Sequence, residues 1–94
     1  MLIKDRVAVI TGIGPGMGRE IALAFAQNGA RLAIGARNIE FVQKVAQECV
    51  AAGAEVVALR TDLADRASCE AIVTASIDRF GGVDILVQNG HDTG

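Results

Sequence analysis

One stretch limits what this chain can become: Thr11-Gly12-Ile13-Gly14-Pro15-Gly16-Met17-Gly18, which holds four of its eleven glycines and its only proline. The apolar run Val7–Ile10 precedes it and the apolar run Ile21–Phe25 follows it. Arg6–Thr11 has no internal polar alternation and reads as a strand buried on both faces. From Met17 to Asn28 apolar residues recur at helical spacing, at Met17, Ile21, Ala24 and Phe25. Ala22, Leu23 and Ala26 widen that stripe, so this helix is expected to be covered more deeply than the later ones. A strand, a glycine turn and a helix start bring free backbone N–H groups and the positive end of the helix dipole to one point. A phosphate group suits that point if no side chain blocks the backbone. Gly12 permits the tight turn, Gly16 the close approach and Gly18 the packing of helix on strand. The spacing from Gly12 is G-x-x-x-G-x-G, not the G-x-G-x-x-G dinucleotide fingerprint, although Gly14-Pro15-Gly16 offers a G-x-G. No Gly-Lys-[Ser/Thr] follows, which disfavours a P-loop.

Beyond this stretch the chain alternates. Asn28-Gly29 ends the first helix, since Gly or Asn takes the left-handed conformation just past a last turn. Arg31–Ala36 is a second strand. Asn38 caps a second helix running to Ala52, with Val42, Val45, Ala46 and Cys49 as its buried stripe. Gly53 stops it, and Glu55–Arg60 is a third strand. Thr61–Ala64 is a loop, and Asp65 caps a third helix carrying Cys69, Ile72, Val73, Ser76, Ile77 and Phe80 on one side. Gly81-Gly82 ends that helix, Val83–Val87 is a fourth strand, and residues 88–94 form a polar loop. This β-α-β-α-β-α-β order predicts an α/β fold with a parallel sheet, right-handed crossovers and helices on both faces. The loops after the strands, 11–18, 36–38, 61–65 and 88–94, then gather at one end of the sheet, where open parallel sheets bind ligands.

Composition narrows the class. Hydrophobic residues make up 51% of the chain, yet its aromatics are only three Phe, so Ala, Val, Ile and Leu must build the core. The formal net charge is −2 with both signs scattered, and no basic stripe or aromatic platform points to nucleic acid. No run approaches the roughly 18 apolar residues of a membrane span, and Met1–Arg6 lacks the order of a signal peptide. The expectation is a cytoplasmic protein with no membrane or nucleic-acid partner. Cys49 and Cys69 lie in helical patterns outside any C-x-x-C and read as small apolar residues in a reduced compartment.

The loops differ in chemistry. In a doubly wound fold, an acid ending the second strand bonds the ribose 2′-OH of NAD, and a cation there suits the 2′-phosphate of NADP. Here Gly35-Ala36 supplies no acid and Arg37 follows, with a guanidinium suited to gripping phosphate. A cation near a helix N-terminus is disfavoured by the dipole, which argues for a compensating anion. Arg19 is a possible helper, more readily placed toward solvent or another chain. Asp62 reads on its own as a loop residue beginning an Asx-turn. Asp84 ties backbone down at the start of the fourth strand.

Thr11-Gly12-x-x-x-Gly16-x-Gly18 resembles the cofactor motif of the short-chain dehydrogenases/reductases, and the resemblance runs the length of the chain. Gly29-Ala30 before a strand matches the turn after the family's first helix. Thr61-Asp62-Leu63 resembles its adenine loop, and Arg79–Val87 resembles the run leading to its Asn-Asn-Ala-Gly. The resemblance implies that residues 1–94 are the N-terminal, NAD(P)-binding half of a Rossmann-type domain, four strands in order 3-2-1-4. It implies cofactor contacts at Gly12, Gly14, Pro15, Gly16, Met17, Gly18, Arg37, Asp62, Leu63, Asn89 and Gly90, with Asp62 meeting the adenine amino group and NADP(H) preferred over NAD(H). Many NADP-dependent members carry a basic residue where this chain has Pro15. Gln88-Asn89-Gly90-His91 departs from Asn-Asn-Ala-Gly, keeping one asparagine; His91, the chain's only His, reads as a surface loop residue. The family relays a proton through a Tyr with a Lys four residues on, a Ser and an Asn. This chain has no Tyr, and the set belongs beyond the fourth strand, so no catalytic residue is assigned. The implied parent is a homo-oligomeric oxidoreductase transferring hydride between nicotinamide and a small carbonyl or alcohol substrate. A non-catalytic dinucleotide-binding or interaction module is the alternative.

Overall fold

The structure is a computed structural model that describes residues 3–12 and 17–88. Among the described residues seven elements alternate strictly: β1 (Val7–Thr11), α1 (Met17–Gln27), β2 (Arg31–Ala36), α2 (Ile39–Ala51), β3 (Val56–Arg60), α3 (Arg66–Phe80) and β4 (Ile85–Gln88). They form one parallel sheet in the order β3-β2-β1-β4. Sequence order differs from spatial order because every connection carries a helix that returns the chain to the same end of the sheet.

The apolar character of β1 and β2 follows from their central places. β1 is buried along its whole length, and β2 from Leu32 onward. One face of the sheet packs Ala8, Ile10, Leu32 and Ile34 against Ala22 and Ala26 of α1 and Val42, Val45 and Cys49 of α2. The other face packs Val9 and Ala33 against Ile72 of α3. Fully burying a side chain such as Ile10, Leu32 or Ile34 contributes about 1.5–3 kcal/mol.

Local signals end the helices where expected. The Asn38 carboxamide oxygen accepts the Phe41 N–H at 3.1 Å, and an Asp65 carboxylate oxygen accepts the Ala67 N–H at 3.0 Å; such caps contribute about 1 kcal/mol each. Gly29, Gly53 and Gly81 follow the three helices with φ of 88°, 101° and 89°, the left-handed conformation that glycine adopts without a Cβ clash.

Packing departs from the periodicity in three places. On α1 the buried seam is Gly18, Ala22 and Ala26, one residue per turn, while Ala24 is exposed and Ile21, Leu23 and Phe25 are half-buried. Small residues face the sheet because they let the helix approach it closely, and the larger ones spread to either side. From residue 18 to 27 only Glu20, Ala24 and Gln27 are exposed, so α1 is the most deeply covered helix. On α3 only Ile72 and Ser76 are fully buried, and Ile77 is 50% exposed. The buried Ser76 hydroxyl donates to the Gly82 carbonyl at 3.0 Å. The fourth strand begins two residues later than the pattern suggested. Ahead of it, an Asp84 carboxylate oxygen accepts the Val7 N–H at 2.9 Å, and the Asp84 N–H donates to the Val7 carbonyl at 2.8 Å. Asp84 thus ties the start of β4 to the start of β1, the anchoring role its position suggested.

Candidate functional site

The C-terminal ends of the strands lie side by side. Thr11 is in register with Gly35 and Gln88, and Ala36 with Arg60. Backbone bonds continue the row past the strands: the Gly12 N–H donates to the Gly35 carbonyl, and the Thr61 N–H to the Ala36 carbonyl, both at 2.8 Å. The two bonds bring the entrance of the glycine stretch, the residue before Arg37 and the start of the 61–65 loop to one edge.

The described residues of this row have local reasons for their places. Gly12 turns the chain at φ 76°, in the left-handed region, directly after β1. Gly18 is buried in the first turn of α1. Gly14, Pro15, Gly16, Asn89 and Gly90 lie outside the described residues, as does His91; Met17 opens α1. Arg37 is exposed immediately after β2, one residue before the Asn38 cap of α2. No acid precedes it on the strand, and Arg37 is the first charged residue after β2.

Asp62 makes the Asx-turn its sequence suggested: one carboxylate oxygen accepts the Ala64 N–H at 3.0 Å. The rest of the turn was not legible in the sequence. The Asp62 N–H donates to the Ser68 hydroxyl at 2.8 Å, and the Asp62 carbonyl accepts the Asp65 N–H at 2.9 Å. The Cys69 sulfur lies 3.8 Å from the carbonyls of both Asp62 and Leu63. One α3 turn therefore braces the loop that precedes it. The available signal was Ser68 in the third helical position after Asp65, where a Glu or Gln would reach back to the cap; a short hydroxyl there reaches a different amide.

Gly35 also matters for packing. A Cβ at this position would overlap the Thr61 hydroxyl and lie 2.8 Å from Ile72 Cδ1. Gly35 leaves the space in which Thr61 is buried, and the Thr61 hydroxyl donates to the Leu59 carbonyl at 3.4 Å.

Arg19 neither reaches into the site nor lies loose in solvent. Its Nε donates to Glu48 Oε1 at 2.9 Å and its Nη2 to Oε2 at 2.6 Å, a paired contact between α1 and α2. The hydrogen bond from Arg19 holds Glu48 below the ordinary carboxylate range, and the same bond raises the Arg19 pKa. Beside this pair Cys49 is fully buried, and desolvation pushes its thiol up to about 11. It remains a protonated core residue with no thiolate to react. Among the described residues no group of three or more His, Cys, Asp or Glu could hold a metal, and no helix is long and apolar enough to cross a membrane.

Comparison with known proteins agrees with this arrangement. The sequence profile described as short chain dehydrogenase matches residues 6–91. The chain is 42% identical over 86 residues to a 1,6-dihydroxycyclohexa-2,4-diene-1-carboxylate dehydrogenase of Pseudomonas putida, covering 92% of this chain and 31% of that protein. Among solved structures, it superposes on an actinorhodin polyketide ketoreductase with NADPH at a TM-score of 0.88 and 34% identity, covering 96% of this chain and 34% of the other. It superposes on an NADH-dependent reductase complexed with NAD at a TM-score of 0.79 and 26% identity, covering 92% and 36%. The chain spans about a third of the length of most of the curated dehydrogenases it matches. A glycine-rich sequence between β1 and α1, a parallel sheet in the order 3-2-1-4 and a profile match over nearly its whole length together show that the chain belongs to the short-chain dehydrogenase family of oxidoreductases.

Proposed function

We propose that residues 1–94 form the cofactor-binding half of a Rossmann-type domain in an NADP(H)-preferring oxidoreductase, one that interconverts a small carbonyl compound and its alcohol. The nicotinamide supplies the hydride chemistry when bound, and this half of the protein binds and aims it. Gly12, Gly14, Pro15, Gly16, Met17 and Gly18 would surround the pyrophosphate, where the free N–H groups of the α1 start offer donors and positive potential. Arg37 would hold the 2′-phosphate, Asp62 and Leu63 the adenine, and Asn89 and Gly90 the adenosine half. The residues at the row of strand ends suit such a ligand: Gly12 makes the turn, Gly18 adds no side chain at the helix start, and an arginine, with no acid before it, follows β2. Catalytic proton relay, a homo-oligomeric assembly and a cytoplasmic location belong to the proposed whole protein.

The preference for NADP(H) rests on one observation, an exposed Arg37 directly after a strand end that lacks an acid. The solved relatives include one with NADPH and one with NAD, so family membership alone leaves the cofactor open. Arg37→Ala is expected to weaken NADPH binding roughly tenfold or more, the scale of one charge-assisted contact, while leaving NADH within about twofold. Titration of both dinucleotides by fluorescence tests it, and equal losses for the two would remove the NADP assignment.

A further inference from the structure

The turn at Asp62 and Leu63 is braced from within α3. The amide of Asp62 donates to Ser68 Oγ, its carbonyl accepts the Asp65 amide, and one carboxylate oxygen accepts the Ala64 amide. The Asp65 cap is complete without Ser68, since an Asp65 carboxylate oxygen takes the Ala67 amide. Ser68 occupies the third helical position, yet its hydroxyl serves the loop rather than the helix end. On the other side of the turn, the Thr61 amide is bonded to Ala36, the residue before Arg37. The Asp62 peptide is therefore held between the end of β2 and the first turn of α3.

We propose that Ser68 is a positioning residue for adenine recognition. Its hydroxyl fixes the Asp62 peptide plane and so sets the direction of the Asp62 carboxylate and the Leu63 backbone. This rests on the reading that Asp62 meets the adenine amino group. Without the Ser68 acceptor, the Asp62 amide turns to water, and the Asx-turn that carries the carboxylate is no longer held in one orientation toward the strand ends. The cost falls chiefly on the 6-amino group, the feature of the adenine that the Asp62 carboxylate reads. Phosphate contacts made elsewhere are unaffected.

The test compares NADPH with its hypoxanthine analogue, which carries an oxygen in place of the amino group. Both are titrated into the intact protein and into Ser68→Ala, Ser68→Cys and Ser68→Thr. Cysteine keeps the size of serine with a much weaker acceptor, which guards against a folding defect in the alanine variant. The wild type is expected to prefer NADPH by about tenfold, the scale of one hydrogen bond to a charged group. Ser68→Ala and Ser68→Cys should bring the two ligands to within about twofold, chiefly by weakening NADPH, and Ser68→Thr should retain the preference. A wild-type preference that survives in both the Ala and Cys variants overturns the role of Ser68 while leaving the Asp62 reading intact. Equal weakening of both ligands, accompanied by a lower thermal midpoint, also overturns it, since that result describes a structural residue. A wild type that does not distinguish the two ligands overturns the Asp62 reading and the role of Ser68 with it.

Discussion

At the scale of single residues, absence of a side chain is as informative as presence. Gly35 lies next to last in β2 with no turn to make, and a strand glycine that is not at a bulge commonly marks a close approach. Here the approaching group is the Thr61 side chain, buried over Gly35 and bounded by Ile72. Gly35→Ala places a methyl into occupied space, and overpacking of this kind costs about 1–3 kcal/mol. The expected outcome is a lower urea midpoint with an unchanged slope. Gly35→Ala/Thr61→Ala should recover part of the loss, because the Thr61 hydroxyl, the nearest atom to the new Cβ, is gone. No recovery would assign the strain to Ile72 Cδ1 and the Thr61 Cβ, each 2.8 Å from the new Cβ, and not to the Thr61 hydroxyl.

At the scale of elements, α1 and α2 share one face of the sheet and are joined at their exposed sides by Arg19 and Glu48. The pair is more than a third exposed, so its contribution is modest and screened by salt. Its pH dependence has a definite sign. Glu48 is held below its ordinary value of 4.5, first by the hydrogen bond from Arg19. A depressed carboxylate pKa stabilises the folded state above the unfolded pKa, and that stabilisation is lost as pH falls through the folded one. Glu48→Gln is therefore expected to lower the urea midpoint at neutral pH, with the gap to wild type closing as pH falls below about 4. A gap that stays constant down to pH 2 would assign the loss to packing rather than to charge.

Over the whole molecule the two faces of the sheet are covered unequally. Among the described residues two helices cover one face and α3 alone covers the other, chiefly over β2, β1 and β3. Leu86 pairs in register with Val9 and so shares the α3 face, yet it is 54% exposed on a strand that pairs, among the described residues, on one side only. Ile77 on α3 is exposed to a similar degree. An unpaired apolar edge is a template for association. The 94-residue chain prepared alone is expected to self-associate with rising concentration, and Leu86→Lys to reduce that association with no change in far-UV circular dichroism. Light scattering across a dilution series checks this, and equal association of both forms would exonerate the β4 edge.

The alternation of elements, the caps at Asn38 and Asp65, the left-handed glycines after each helix and the glycine turn after β1 were determined by the sequence alone. Each depends on residues within about one helical turn of one another, where periodicity and backbone chemistry act directly. The strand order was legible too, through likeness to a family whose motifs recur along the chain. Periodicity also marked which helix faces are buried, but not how deeply: it placed Ala24 and Ile77 on covered sides, where both are exposed. Only the tertiary structure decided which residues meet across elements: Arg19 with Glu48, Thr61 over Gly35, Ser68 on the Asp62 amide and Asp84 on the Val7 amide. A sequence pattern specifies a face and a period. The partner on that face depends on how close two elements come and at what register, which the size of every side chain between them sets together.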